Sequence, residues 1–368
     1  MNDRVSSRRL CGEDASFVRN AWYAAAWSDE LGRDKPLACM MLGEPVVLYR
    51  DASGAPVALE DRCVHRSMPL SLGRIRGDLI ECGYHGLQYA SSGRCVKIPG
   101  QPSIPRTACI RSYPAVEQDG FVWVWMGDSA RADGAAVARF PWMKRAGWQK
   151  TSLHAHIGCN YQLVIDNLLD LSHLAFVHAS TVGSPELADD AIVETQRTET
   201  GVRTSRWTLD VAPAMTYAQF GRYDCNVDRW QITDFTPPCT LVIRNGAAKA
   251  GTGAREGRGE QRWEFIVCHA VTPETARTTN YFWAVTHDFG GDDAEATAEF
   301  HRQCHHVIGE DIAVFTAQQR TLELTPNAPL LGIRYDQGPL QGRLAIERLL
   351  AGERDAAQAR TLETHVST

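Results

Sequence analysis

The chain has 368 residues, 44% of them hydrophobic and 22% charged, with a formal net charge of -6. That length gives room for two domains with separate cores. The composition excludes a nucleic-acid partner, since Lys and Arg are nowhere dense enough to displace counterions from phosphates, and a membrane span, since no stretch nears the roughly 18 unbroken apolar residues that one needs.

Met1 to Ser16 carries Arg4, Arg8 and Arg9 without an apolar core, so it does not read as a secretory signal. Eleven cysteines show no disulfide rhythm, which points to the cytoplasm. Short apolar and β-branched runs follow between residues 17 and 60, bounded by turns such as Asp51-Ala52-Ser53-Gly54, and predict an antiparallel sheet.

That sheet delivers the chain into Cys63-Val64-His65-Arg66, which is followed by Cys82-Gly83-Tyr84-His85. Sixteen residues separate His65 from Cys82, enough for a strand and a return loop that bring two ligand-bearing tips together. Two thiolates and two imidazoles suit a Rieske [2Fe-2S] cluster, in which two Cys hold one iron and two His the other. A tetrahedral zinc ion is the competitor. Zinc sites, however, draw a Cys pair from one loop and a His pair from elsewhere, whereas each loop here gives one of each. Phe121 to Met126 then alternates like a strand with one buried face. These elements predict an all-β first domain over residues 1–140, with its core in 17–127 and a small-residue connector over 128–139.

Residues 141–350 read as a second domain and 351–368 as a loose polar tail. Asn160 to His178 is dense in apolar residues and free of Gly and Pro, which predicts one buried helix capped by Asn160. Asn167, Asp170 and His173 stack at i+3 along one edge of it, and His178 lies five further on. In a regular helix an i, i+5 pair diverges by about 140°, so both His meet one metal only through a π-turn or a helix end between them. From 190 to 290, five short strand-like runs predict one large antiparallel sheet, with 246–259 as a mobile Gly- and Ala-rich loop. Asp292 to Leu322 reads as a helix interrupted near Gly309, and Gln341 to Leu350 as a final helical piece. The fold class is therefore α+β: an all-β domain, then a domain with an antiparallel sheet flanked by helices.

Two His and one acid with open positions beside them form the ligand face of mononuclear non-haem Fe(II) oxygen chemistry. Asp170, Asp166, Glu310 and Asp311 all compete for the acid. A one-electron relay in the first domain requires an acceptor, and O2 activation consumes electrons.

With these motifs the chain resembles the oxygenase components of the Rieske non-haem iron oxygenases, in the branch of vanillate and dicamba demethylases. The likeness runs from Phe17-Val18-Arg19-Asn20-Ala21-Trp22-Tyr23 through both Cys/His loops, the Asn167/Asp170/His173/His178 segment and Thr272-Pro273-Glu274-Thr275 to Glu310-Asp311. It implies that Cys63, His65, Cys82 and His85 bind the cluster and that His173, His178 and Asp311 bind Fe(II), with O2 as co-substrate. Asp170 resembles the bridging acid that couples the two centres across a subunit boundary, matched to His85, and Asn167 a residue near the iron. Gly83 and Leu87 depart from a common Pro and Trp, and Thr316 from a frequent acid.

The resemblance further implies an external flavin/iron-sulfur, NAD(P)H-dependent reductase, directly or through a ferredoxin, and a homo-oligomer, a trimer. The substrate it implies is a small arene, carboxylated or methoxylated, to be O-demethylated or hydroxylated. His269, Arg244 and Trp283 are candidate substrate residues, with Arg222 and Arg229 as further charge partners and Phe220, Tyr223, Phe235 and Phe282 as pocket aromatics. His301, His305 and His306 read as a solvated helix face. A cis-dihydroxylating dioxygenase shares every ligand, and a non-catalytic iron-sulfur electron-transfer protein is the reading from another class.

Overall fold

A computed structural model describes residues 16–184, 186–291 and 293–366. The basic N-terminal segment, residues 1–15, lies outside them. Two compact units emerge, one built on Arg19–Arg139 with Thr272–Thr275, the other on Phe140–Val271 and Ala276–Thr368. No helix among the described residues is long and apolar enough to cross a membrane.

The first unit is β-rich, as its alternating runs require. Its strands are β1 (Trp22–Trp27), β2 (Leu37–Met41), β3 (Glu44–Arg50), β4 (Pro56–Glu60), β5 (Arg74–Arg76), β6 (Leu79–Glu81), β7 (Gln88–Tyr89), β8 (Cys95–Lys97), β9 (Ser112–Tyr113), β10 (Ala115–Gln118) and β11 (Phe121–Trp125). They form three antiparallel sheets, in the orders β1-β11-β10, β2-β3-β4-β9 and β5-β6-β7-β8. Leu42 and Gly43, both at positive φ, close the β2–β3 hairpin in the two-residue turn whose twist matches that of its strands. Val47, Tyr49, Leu59, Leu70, Ile80 and Tyr89 pack around Cys63 and Cys82, so the thiols sit at the edge of an apolar core.

The second unit is a seven-stranded antiparallel sheet with helices against it. Its strands are β12 (Gln149–Ile157), β13 (Ile192–Arg197), β14 (Val202–Val211), β15 (Val227–Thr236), β16 (Thr240–Lys249), β17 (Trp263–Pro273) and β18 (Thr279–His287), in the order β12-β18-β17-β16-β15-β14-β13. Its helices are α1 (Tyr161–Leu169), α2 (Leu174–Val177), α3 (Glu186–Asp189), α4 (Met215–Gly221), α5 (Ala294–Leu324) and α6 (Gln337–Val366). Asn160 caps α1 as expected, its side chain accepting from the Gln162 amide at 3.0 Å. Arg343 on α6 pairs with Asp166 at 2.9 Å. At Gly338 and Gly342 a Cβ would come within 2.5 Å of Leu169, so only glycine lets α6 lie this close to α1.

Four expectations need correction. The segment 160–178 is not one helix: α1 stops at Leu169, Asp170 is extended (φ -122°, ψ 97°), and a 3-10 turn over Leu171–His173 leads into α2. The i+3 edge of Asn167, Asp170 and His173 is therefore broken. The stretch 246–259 is not a free loop. β16 runs on to Lys249, and Ala254 packs into a cluster with Trp207, Trp230 and Ala248. α5 passes unbroken through Gly309, because Phe300, Cys304, Ile308, Asp311, Phe315 and Gln319 make one continuous buried stripe. The polar tail is helical to Val366, as an extension of α6.

At Gly246 a Cβ would stand 2.2 Å from the buried Trp230 indole. Gly246→Ala is expected to destabilise the protein by about 1–3 kcal/mol through overpacking, read as an earlier midpoint in urea unfolding. An unchanged midpoint would show that the indole does not rest on this strand.

Candidate active site

Both Cys/His loops are built alike. Cys63 N–H donates to the Met68 carbonyl (2.9 Å) and Ser67 N–H to the Cys63 carbonyl (2.9 Å); Cys82 N–H donates to Leu87 (2.8 Å) and Gly86 N–H to Cys82 (3.1 Å). Each tip is thus a tight turn that holds a thiol inward and an imidazole two or three residues later. Cys63 and Cys82 are buried, while His65 and His85 are exposed with ring centroids 4.6 Å apart. The Tyr89 hydroxyl lies 3.2 Å from Cys63 Sγ, and the amides of Tyr84 and His85 face the Cys82 sulfur. Amide and hydroxyl donors around paired sulfurs, with two imidazoles outward, fit a [2Fe-2S] cluster rather than a closed-shell zinc site.

In the second unit the break at Asp170 decides the geometry. Its N–H closes α1 on the Asp166 carbonyl at 3.0 Å, and its carboxylate then accepts from the Ser172 amide at 3.0 Å to start the next turn. Its carbonyl accepts from His173 Nδ1 at 2.7 Å. His178, just past α2, donates from Nδ1 to Glu310 at 2.8 Å. Both acceptors lack a proton to give, so each imidazole carries a hydrogen on Nδ1 and turns its Nε2 toward the Asp311 carboxylate.

Those two Nε2 atoms lie 3.6 Å and 3.2 Å from the Asp311 carboxylate. Among the described residues, His173, His178 and Asp311 form the group whose ligand atoms all fall within 4.8 Å of one another. Burial pushes the His173 pKa down, which favours the neutral, ligating imidazole. Burial opposes a charge on His178 too, but the Asp311 and Glu310 carboxylates outweigh it and raise its pKa. A bound cation would replace that proton. Asn167 donates toward Asp311 at 3.3 Å and leaves its buried Oδ1 without a partner. The set fits a mononuclear metal with two imidazoles, one carboxylate and open positions. Of the four competing acids, Asp166 is taken by Arg343, Asp170 caps a turn, and Glu310 orients His178.

The triad borders a cavity of about 680 Å³, part of it open to solvent, with mainly apolar walls that include Leu168, Leu174, Ile243, Phe265 and Ile308. His269 and Trp283 line it. Arg244 does not: it pairs with Asp234 at 2.7 Å and stacks over Trp142. Phe220, Tyr223, Phe235 and Phe282 are likewise absent from the walls, and Phe220 packs instead on Phe289 and Phe300. Arg222 sits in the left-handed turn that ends α4. His301 and His305 are packed rather than solvated, the first against His287 at 3.0 Å and the second against Thr151 at 2.9 Å, while His306 is exposed beside Glu310. Gln231 and Asn245 also line the cavity and carry no signal in the sequence, because only strand register sets them toward it beside Phe265.

His269 is mid-strand and buried, its Nδ1 2.6 Å from the Tyr281 hydroxyl and its Nε2 unpartnered. Burial drops its pKa to about 3. An unfolded His titrates near about 6.5, so the stability this residue contributes is present above that pH and is lost as pH falls toward the native value. The expected outcome is a ring whose NMR shifts stay at neutral-form positions across the physiological range, and a shallower acid slope of stability in His269→Gln. A ring midpoint near the unfolded value would refute this.

Residues 21–114 match the Rieske [2Fe-2S] domain family, and residues 157–352 match the vanillate O-demethylase oxygenase C-terminal domain family. The chain is 40% identical over 340 residues to the iron-sulfur subunit of the toluene-4-sulfonate monooxygenase system of Comamonas testosteroni, covering 92% of this chain and 98% of that one. It is 39% identical to the vanillate O-demethylase oxygenase subunit of a Pseudomonas species, with 93% and 98% covered. Crystalline dicamba monooxygenase bound to 3,6-dichlorosalicylic acid superimposes with a TM-score of 0.84 at 31% identity, over 92% of this chain and 99% of that one. With two thiols and two imidazoles in the first unit and a two-His, one-Asp triad in the second, the chain belongs to the vanillate O-demethylase type of Rieske oxygenases, enzymes that carry a [2Fe-2S] cluster and a mononuclear iron.

Proposed function

We propose that this oxygenase component inserts oxygen into a small carboxylated or methoxylated arene, by O-demethylation or hydroxylation, as one of a chain of proteins fed by an NAD(P)H-dependent flavin/iron-sulfur reductase, directly or through a ferredoxin. Cys63, His65, Cys82 and His85 hold the cluster in this reading, and His173, His178 and Asp311 hold the iron. The observation that carries it is the convergence of two tautomer-fixed Nε2 atoms and one carboxylate beside a mostly apolar cavity.

When bound, the two metal centres supply single-electron transfer and the activation of O2. The protein's residues supply position and environment. The Asp170 carbonyl and the Glu310 carboxylate fix the two imidazoles. The apolar walls exclude water around the reacting ring. His269 Nε2 and the buried Asn245 are polar groups among those walls that can orient a substituent. The Asp170 carboxylate is held by Ser172 and reached by Arg206 at 3.4 Å. We assign it the coupling role toward a Rieske histidine of the partner subunit, which makes the active form a homo-oligomer, a trimer. None of the ten described cysteines is joined in a disulfide, which supports a reducing, cytoplasmic setting.

The deciding experiment is oxygen uptake by the reductase-coupled enzyme over a panel of methoxylated, sulfonated and carboxylated arenes, with labelled O2 to count the atoms in the product. Uptake without product, or two labelled atoms in a cis-diol, would overturn the reading. Iron analysis is expected to give about three irons per chain in the natural protein and about two, with the cluster spectrum intact, in Asp311→Ala. Glu310→Ala, which frees the His178 ring, is expected to weaken iron binding by about 10- to 100-fold while Asp311 remains. Asp170→Asn should keep all the metal and lose most turnover; full activity would remove the coupling role.

A further inference from the structure

Among the described residues, the buried Arg229 of the second unit has no ion-pair partner. Arg229 on β15 is 2% exposed, and its Nε, Nη1 and Nη2 find no hydrogen-bond partner among the described residues. A guanidinium does not shed its proton in a protein, and burying it unpaired is among the costliest things a fold can do. Its neighbour is Tyr217: the ring centre lies 4.1 Å from the guanidinium carbon, and while burial raises the pKa of the Tyr217 hydroxyl, the nearby guanidinium opposes that rise. That contact attracts a cation but does not satisfy five N–H donors. The neighbouring cation, Arg206, is felt as a like charge.

The surroundings of Arg229 are unsatisfied in the same sense. Thr208 lies directly opposite it on β14, and Ala247 on β16 leads across the same rung to Trp263 on β17. Thr208 Oγ1, Trp263 Nε1 and the Tyr217 hydroxyl are all buried without partners. Each can donate a hydrogen bond to an incoming acceptor: the indole N–H can do nothing else, and the two hydroxyls can turn either way. An oxyanion is the ligand that such a set lacks.

The next rung on this face, Gln231, Asn245 and Phe265, lines the cavity beside the iron triad, and so does Thr216, which precedes Tyr217. Residues two apart on one strand face are about 7 Å apart, so the Arg229 rung stands one rung behind the cavity's walls, on the same face of the sheet. We infer that Arg229, with Trp263 Nε1 and the Tyr217 and Thr208 hydroxyls, forms an oxyanion subsite that takes the carboxylate or sulfonate of an aromatic substrate whose ring occupies the cavity. This rests on the cavity's being the arene site of the oxygenase, and it extends that reading to the chemical class of the substrate's distal group.

The test uses the intact iron-loaded enzyme and calorimetric binding of 4-methylbenzenesulfonate and 4-methoxybenzoate, each against its uncharged amide, with inorganic sulfate as a free-ion arm. The natural protein is expected to prefer the acids. Arg229→Met is expected to weaken the acids by about 10- to 100-fold and the amides by no more than about twofold, while Arg229→Lys keeps most of the preference. Ligand-free Arg229→Met is also expected to melt higher than the natural protein, because an orphaned charge has gone. The inference is overturned by no preference for acids, by equal losses for acids and amides, by inorganic sulfate binding as tightly as the aryl acids, or by a lower melting point or failed folding of Arg229→Met. Binding and melting need no turnover, so oxygen uptake by the natural protein judges the oxygenase reading separately.

Discussion

The catalytic half of this protein depends on how the backbone leaves the helix at Asp170 and starts a new turn after it. A continuous helix through this segment would set His173 and His178 about 140° apart around its axis. By leaving the helical region for one residue, Asp170 lets its own groups finish one helix and begin the next. Its amide serves the last turn of α1, its carboxylate caps the new turn, and its carbonyl orients His173. The residue that would couple the two centres is thus also the one that builds the metal face. Few of its hydrogen-bonding groups are idle, and that leaves the turn little freedom to rearrange.

The two centres solve opposite problems. In the first unit, sulfur is placed against an apolar core while the imidazoles stand in solvent. A cluster so placed is insulated on its Cys side and accessible on its His side, as a relay requires. In the second unit both imidazoles are pulled inward, one fully buried, and each is anchored through Nδ1. Ligands fixed before a metal arrives lose little freedom on binding it.

The large sheet carries another kind of investment. Its face toward the helices holds buried polar atoms without partners, among them Gln231 Oε1, Thr208 Oγ1, His269 Nε2 and the Arg229 guanidinium. Where no atom of the group has a partner, as with the Arg229 guanidinium, an apolar replacement would make a more stable fold. Polar groups kept at such cost cluster at sites where something binds, because stability and function pull these positions in opposite directions.

Much of this was legible in the residues alone. The Cys-x-His and Cys-x-x-His pairs named the cluster, since ligand type and local spacing suffice when both ligands of a loop lie within three residues of each other. The Asn160 cap, the strand runs and the buried character of the His173/His178 segment follow from propensity and periodicity, which are local. The break at Asp170 also had a local signal, the Asp170-Leu171-Ser172 cap, but it was outweighed by an apolar run without Gly or Pro. What only the tertiary structure decided is long-range: Asp311, ahead of its three rivals, brought beside both imidazoles, Arg244 turned away to Asp234, the stretch from Gly246 bound into a strand, and the rungs that set Gln231 on the cavity wall and Arg229 on the same sheet face. These depend on strand register and on which helix crosses which, and a chain specifies them through the summed packing of distant side chains rather than through any stretch that can be read by itself.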